Sequence, residues 1–228
     1  MTGMKDSSWP LSRAFFDRPA DRVARELLGC RLAVRAADGR VSRHVVCETE
    51  AYLGAHDLAC HGARGMTPRN AVMFGPAGVW YVYLCYGMHW MLNVVTGREG
   101  VPAAVLIRGV GGHVGPGRLT RALGIDKRFD GRSVVRPTGL WFEPGRPVPP
   151  RLVTRTPRIG VGYAGEWAEK PLRFVLDLET LVSSGCTGGE ADARPGGPKH
   201  GGRADGGGRP CGHTGSGRGP GRRVHDGG

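Results

Sequence analysis

Acidic side chains are scarce in this chain. Asp and Glu number 20 against 32 Lys and Arg in 228 residues, a formal net charge of +12. Apolar residues are also sparse, at 39%, below the share of an ordinary globular protein. Six cysteines occur, at 30, 47, 60, 85, 186 and 211, but none forms a CxxC pair. That argues against a zinc site or a disulfide framework and for reduced, structural thiols in a cytoplasmic protein. No HExxH, GxSxG or P-loop is present, so three common hydrolase and nucleotide signatures are missing. The opening stretch MTGMKDSSWPLSRAFF lacks the apolar centre of a signal peptide.

One uncharged run approaches the length of a membrane span: GVWYVYLCYGMHWMLNVV, 18 residues from Gly78 to Val95. It carries three Tyr, a His, an Asn and a central Gly, with β-branched and aromatic residues at strand-like density. Two buried strands joined by a tight turn at Tyr86-Gly87-Met88 fit it better, and no membrane association is expected.

Glycine is the abundant residue, 40 in all, and it is unevenly spread. From Ser183 onward 17 of 46 residues are Gly, mixed with Arg, Pro and Asp. Such a segment cannot bury enough apolar surface to offset chain entropy, so residues 183–228 are expected to be a disordered tail and residues 1–182 one folded domain. The tail holds seven Lys/Arg and four Asp/Glu, +3 of the total, which leaves +9 on the body. A basic folded body suits a polyanionic partner, nucleic acid first and an anionic surface second, although charge can also serve solubility alone.

Within the body, DRPADRVARELL (17–28) has an Asp suited to capping, an early Pro, apolar residues at Val23, Leu27 and Leu28, and a following Gly29. That pattern predicts a short amphipathic helix. Residues 30–37 and 40–52 flank Asp38-Gly39, a hairpin signal. The second of these strands ends in ETEAYLG, where Glu48, Glu50 and Tyr52 share one face because side chains alternate along a strand. It then runs into a long polar loop, 54–76, containing HDLACHGARG and TPRN; loops of this length inside a compact domain are usually functional. AAVLIRGV (103–110) predicts a buried strand with one arginine, and 116–124 a short helix closed by Gly. Shorter strands and turns are expected across 139–155 and 157–178. The reading is a mixed α/β domain of the α+β type, with a largely antiparallel, curved sheet flanked by short helices.

Several residues stand out for chemistry. A lone acid at a strand end is ordinarily an ion-pair partner, and Glu50 could be one. Tyr52 on the same face and His61 in the following loop open a second reading: an aromatic floor, an imidazole and a carboxylate converging on a flat heteroaromatic ligand. Tyr81 and Tyr83 share a strand face. Tyr86 falls at the hairpin tip, where an exposed ring can wedge between stacked bases. Asn93 is polar among apolar neighbours and needs partners if buried. Arg108, in a buried strand, needs an anionic partner, either Glu50 or a phosphate. Cys60-His61 as a nucleophile–base pair and His56/His61 as metal ligands lack support at useful spacings, and no metal is expected.

Taken in order, ETEAYLG, the His61 loop, TPRNAVMFGP, YVYLCYGMHWMLNVV, AVLIRGV, GPGRLTRALGI and TPRIGVGYAGEWAEKPLRF resemble the alkyladenine (3-methyladenine) DNA glycosylase family, from about Leu11 to about Phe174. The resemblance implies that Glu50 is the general base activating the hydrolytic water. It places Tyr52, His61 and Tyr83 around a flipped base, and Tyr86 in the gap left in the duplex. Asn93 becomes the residue disfavouring normal guanine, and Arg108 the arginine beside the flipped nucleotide and the water. Damaged duplex DNA is then the partner, a monomer the expected state, and no cofactor is implied. No lysine in these motifs is expected to act as a Schiff-base nucleophile, which implies a water-using, monofunctional glycosylase. In a bacterium it would be cytoplasmic and nucleoid-associated. Two other readings are a non-catalytic binder of damaged DNA on the same scaffold and a hydrolase of free nucleosides. Glu50, Tyr86 and Asn93 together argue against the first, and the +9 body with a wedge tip against the second. The resemblance extends neither to VLDLETLVSSG after Phe174 nor to the Gly/Arg-rich extension.

Overall fold

A computed structural model describes residues 9–183. The disordered tail expected from 183 onward thus lies outside the described residues, apart from Ser183. Two short helices, α1 (Arg13–Phe16) and α2 (Ala20–Leu27), precede the hairpin β1 (Arg31–Arg35) and β2 (Val41–Tyr52). After the long loop come the aromatic hairpin β3 (Trp80–Cys85) and β4 (His89–Thr96), then β5 (Ala103–Val110), β6 (His113–Val114) and α3 (Pro116–Ala122). The chain closes with β7 (Leu140–Glu143), β8 (Val153–Thr156), β9 (Arg173–Leu176) and α4 (Leu178–Ser183). Among the described residues all nine strands join one antiparallel system in the order β3-β4-β5-β2-β1-β7, with β6 on β5 and the β8–β9 hairpin on β2. The antiparallel α+β reading is borne out. No helix among the described residues is long and apolar enough to cross a membrane.

The packing follows from the apolar pattern. In α2, Ala20, Val23, Ala24 and Leu27 are buried at i, i+3, i+4 and i+7, the spacing of one helix face. That face lies on β2, where the Thr49 hydroxyl donates to the Ala24 carbonyl at 2.8 Å. Trp80, Trp141, Phe16, Phe142 and Leu32 fill the same core at 0–1% exposure. Asp17 does not cap α2. Pro19 occupies the N-cap position, and Asp17 instead closes α1, its amide donating to the carbonyl of Arg13, the first residue of that helix. Gly29, with φ +82°, ends the helix as expected.

Strand β2 is what positions the site. Its first half, Val41–Val45, pairs with β1. Its second half pairs with β5 on one edge and, over Glu48–Glu50, with β9. The two carboxylates therefore sit inside the sheet, hydrogen-bonded along both edges of the strand, and not where the strand runs out into a loop as its sequence suggests. Two compensating register shifts flank Glu48: the ladder passes from Val46↔Val110 to Glu48↔Gly109 and back to Thr49↔Ile107. Cys47 and Arg108 are the residues skipped. Paired irregularities of this kind re-aim side chains, here at the position where arginine and carboxylates meet.

Candidate active site

Glu50 is completely buried. One carboxylate oxygen accepts the Tyr52 hydroxyl at 3.0 Å and the other the Ile159 amide at 2.8 Å. Arg108 Nε lies 3.4 Å from the second oxygen. Burial pushes the Glu50 carboxyl up from its ordinary value. Arg108, the Ile159 amide and the Tyr52 hydroxyl each pull it back, while Glu48 adds to the rise. Tyr52, half-buried and beside that carboxylate, is held well above its usual value by desolvation and by the Glu50 charge, and stays a donor.

In front of this carboxylate lies a cleft of about 510 Å³. Tyr52, His61, Tyr83, Tyr86, Asn93 and Arg108 all line it, so every predicted site residue except Glu50 reaches the same space. Glu50 stands one layer back, behind Tyr52, Arg108 and Ile159. The His61 ring meets Tyr83 edge-on, centroids 4.6 Å apart, and its Nδ1 is 3.0 Å from the Tyr81 hydroxyl. Burial against these tyrosines, with the Arg69 guanidinium nearby, lowers the imidazole's pKa and favours the neutral ring. Asn70 holds the loop by donating to the His61 and Gly65 carbonyls at 2.8 and 3.0 Å. Asn93 is buried, and its amide nitrogen is turned to the Tyr81 and Met91 carbonyls at 3.1 and 3.3 Å.

Tyr86 is 87% exposed at the tip of the β3–β4 hairpin. It is the one non-glycine with positive φ among the described residues (φ 50°), and Gly87 follows at φ 69°. Together they form the central pair of a type I′-like turn, the form that matches strand twist. A bulky residue held in a left-handed conformation and exposed to solvent signals a constraint beyond folding.

Sequence reasoning missed several residues. Arg158 and Asp57 form a fully buried pair through two contacts, 2.6 and 2.8 Å. The same guanidinium donates to the Ala51 and Trp167 carbonyls and lies over the Tyr52 ring at 4.8 Å. This pair fixes the loop that presents the Ile159 amide to Glu50. Glu48, which the sequence places on the same strand face as Glu50, accepts Arg108 Nε at 2.9 Å and Arg173 Nε at 2.7 Å. It is thus a closer partner of Arg108 than Glu50 is. Arg69, another lining residue, donates to the Leu84 carbonyl and lies 5.8 Å from the Tyr83 ring. The only sequence signal for Asp57, Arg69, Arg158 and Arg173 is membership of the ordered blocks, because their partners are distant along the chain. The last of those blocks does contain a lysine, Lys170. Its ammonium lies over the Trp167 ring at 3.3 Å, and it does not line the cleft. Among the described residues no group of three or more His, Cys, Asp or Glu could hold a metal ion.

The model of the methylpurine-DNA glycosylase family matches residues 14–112 and 113–180, most of the described chain. The protein belongs to that family. A Myxococcus xanthus relative provisionally named 3-methyladenine DNA glycosylase is 51% identical over 184 residues, covering 77% of this chain and 94% of the relative. One from Methanocella arvoryzae with the same provisional name is 45% identical over 198 residues, covering 78% and 98%. The mouse DNA-3-methyladenine glycosylase is 40% identical over 210 residues, covering 78% of this chain and 62% of the mouse protein. The glycosylase family match thus covers β2, the aromatic hairpin, β5 and the 158–167 segment, the elements that build the cleft.

Proposed function

We propose that this protein is a monofunctional DNA glycosylase. It flips alkylated or deaminated purines out of duplex DNA and hydrolyses the N-glycosidic bond, opening base excision repair. The observation that carries this reading is the Glu50 carboxylate set directly behind an aromatic cleft, with Arg108 and Tyr52 shared between the two.

The chemistry follows from the geometry. A base inside a duplex is out of reach, so it must leave the stack at a cost of a few kcal/mol that damage lowers. Tyr86 fills the gap. Tyr52, His61 and Tyr83 offer ring faces and edges to a flat heterocycle, and a cationic alkylpurine gains further from the tyrosine faces. Asn93 stands on the cleft wall to crowd an exocyclic amine. As the glycosidic bond breaks, its electron pair leaves with the base and positive charge develops on the sugar. The Glu50 carboxylate stabilises that charge and takes a proton from the water that attacks C1′. Arg108, lining the cleft, supplies positive charge beside the nucleotide. With water as nucleophile and no lysine among the described residues that line the cleft, the product is an intact abasic strand. Monomeric action in the cytoplasm belongs to the same proposal.

The test is single-turnover excision on duplexes carrying hypoxanthine, ethenoadenine or 3-methyladenine. Release of at least one of these bases without strand cleavage is expected. Tight binding of all three duplexes with none released would leave only a damage-binding role.

A further inference from the structure

Glu48 and Glu50 lie on one face of β2, 3% and 0% exposed, beside Arg108 from β5 and Arg173 from β9. Two carboxylates and two guanidiniums balance in number, but not in placement. One oxygen of Glu48 takes both arginine Nε groups, at 2.9 and 2.7 Å. Glu50 receives two neutral donors, Tyr52 and Ile159, and only the longer 3.4 Å approach of Arg108. Glu48 is thus committed to both cations, and Glu50 is left with neutral donors and one long approach.

We propose that Glu48 is a positioning residue for the excision reaction, holding Arg108 by Nε so that its guanidinium neither closes on Glu50 nor turns its terminal nitrogens from the cleft. Two further features fit. Among the described residues, every hydrogen bond from Arg108's side chain to protein passes through Nε, while the residue lines the cleft. Opposite Glu48 in the ladder stands Gly109, where an added Cβ would fall 3.1 Å from Glu48 Cβ and 3.4 Å from its second oxygen. The glycine leaves room for the carboxylate where the register shifts. The inference rests on the glycosylase reading and assigns to Glu48 a task within it.

The charged and titratable groups facing Glu50 are Glu48 and Tyr52 on its own strand, Arg108 on β5 and Arg173 opposite it on β9. Arg158, stacked on Tyr52, and Tyr83 on β3 complete the surround. Single-turnover excision of ethenoadenine, followed against pH, reads their effect. Glu48→Gln keeps an acceptor for Nε but removes the charge. Arg108 then redistributes onto Glu50, the acid limb moves down by about one pH unit and the plateau rate falls about tenfold. Arg173→Gln removes a cation and moves the limb the other way.

A plateau lowered about tenfold in Glu48→Gln, together with the downward limb, supports the inference, whereas a shifted limb with an unchanged plateau is the loss of Glu48's charge alone and overturns it. A Glu48→Gln protein with unchanged plateau and limb overturns it, as does one that merely melts earlier with the limb unmoved. Should Glu48→Gln not fold, Arg173→Gln decides alone: a limb that stays in place or moves down overturns it. An inactive wild-type protein sinks the glycosylase reading and this inference together, whereas an active one with unshifted variants sinks only the inference.

Discussion

At the scale of single residues, the contest is between two glutamates one residue apart. Alternation along the strand puts both on one face and cannot rank them. The aromatic residues of the later hairpin favour Glu50, and the geometry adds the physical difference: one oxygen of Glu48 takes two arginine Nε groups, whereas Glu50 takes neutral donors and a longer approach of Arg108. Glu50→Gln should lower excision by about 10²–10⁴-fold while leaving lesion binding nearly intact, measured by single-turnover rates beside equilibrium titration. Retained activity would remove Glu50 as the base. The pH dependence has a definite sign. A base works ionised, and burial raises the Glu50 carboxyl, so excision of a lesion whose charge is constant should rise with pH through a limb set higher than an exposed glutamate would give. Tyr52→Phe removes a hydroxyl that favours the ionised form. One net hydrogen bond of about 1 kcal/mol corresponds to roughly 0.7 pH units, so that limb should move up by about this much. A limb that stays put would show that the hydroxyl does not bear on the carboxylate.

At the scale of elements, local sequence was a good guide wherever the signal was local. The uncharged run as a hairpin turning at Tyr86–Met88 and the fully buried strand AAVLIRGV stand as read, whereas the first hairpin turns one residue earlier than Asp38-Gly39 predicts: the Gly39 amide donates to the Ala36 carbonyl, so Ala37 and Asp38 are the central pair. What it could not show is long-range pairing. The placement of β9 against Glu48–Glu50, and of Arg158 beneath Tyr52, depends on residues over a hundred positions away, and no periodicity carries that information. Two predictions belong here. Asp57→Asn leaves the Arg158 guanidinium buried without its countercharge, which costs about 3–5 kcal/mol; urea unfolding should show it, and a loss below about 1 kcal/mol would mean that water reaches the site. Excision should fall as well, because the pair holds the segment that presents the Ile159 amide. The hairpin tip predicts the reverse relation between stability and activity. Tyr86 is exposed and left-handed, so Tyr86→Gly relieves backbone strain while losing almost no burial. The protein should gain about 0.5–1 kcal/mol in denaturant melts yet excise more slowly. Unchanged excision would count against a wedge role for the ring.

At the scale of the whole molecule, charge links fold to substrate. The body carries +9, and the residues from 183 onward add +3 through seven basic and four acidic side chains. Net charge says nothing about the fold, but it sets how strongly a polyanion is held before any lesion is found. If the basic side chains meet backbone phosphates, each contact releases counterions, and the logarithm of affinity falls linearly with the logarithm of salt concentration, by about 0.9 per contact. Five contacts from the body would give a slope near −4.5 on undamaged duplex, with little dependence on sequence. A slope shallower than about −1 would mean that the charge serves solubility, and would bring a nucleoside substrate back into consideration. The extension can be separated in the same measurement. A chain ending at Ser183 keeps all of the cleft residues, so its single-turnover excision rate at saturating protein should match that of the full chain. Only its salt slope should flatten, by at most about 6 if all seven basic side chains removed had touched phosphates. A fall in the saturated rate would instead tie the extension to the chemical step.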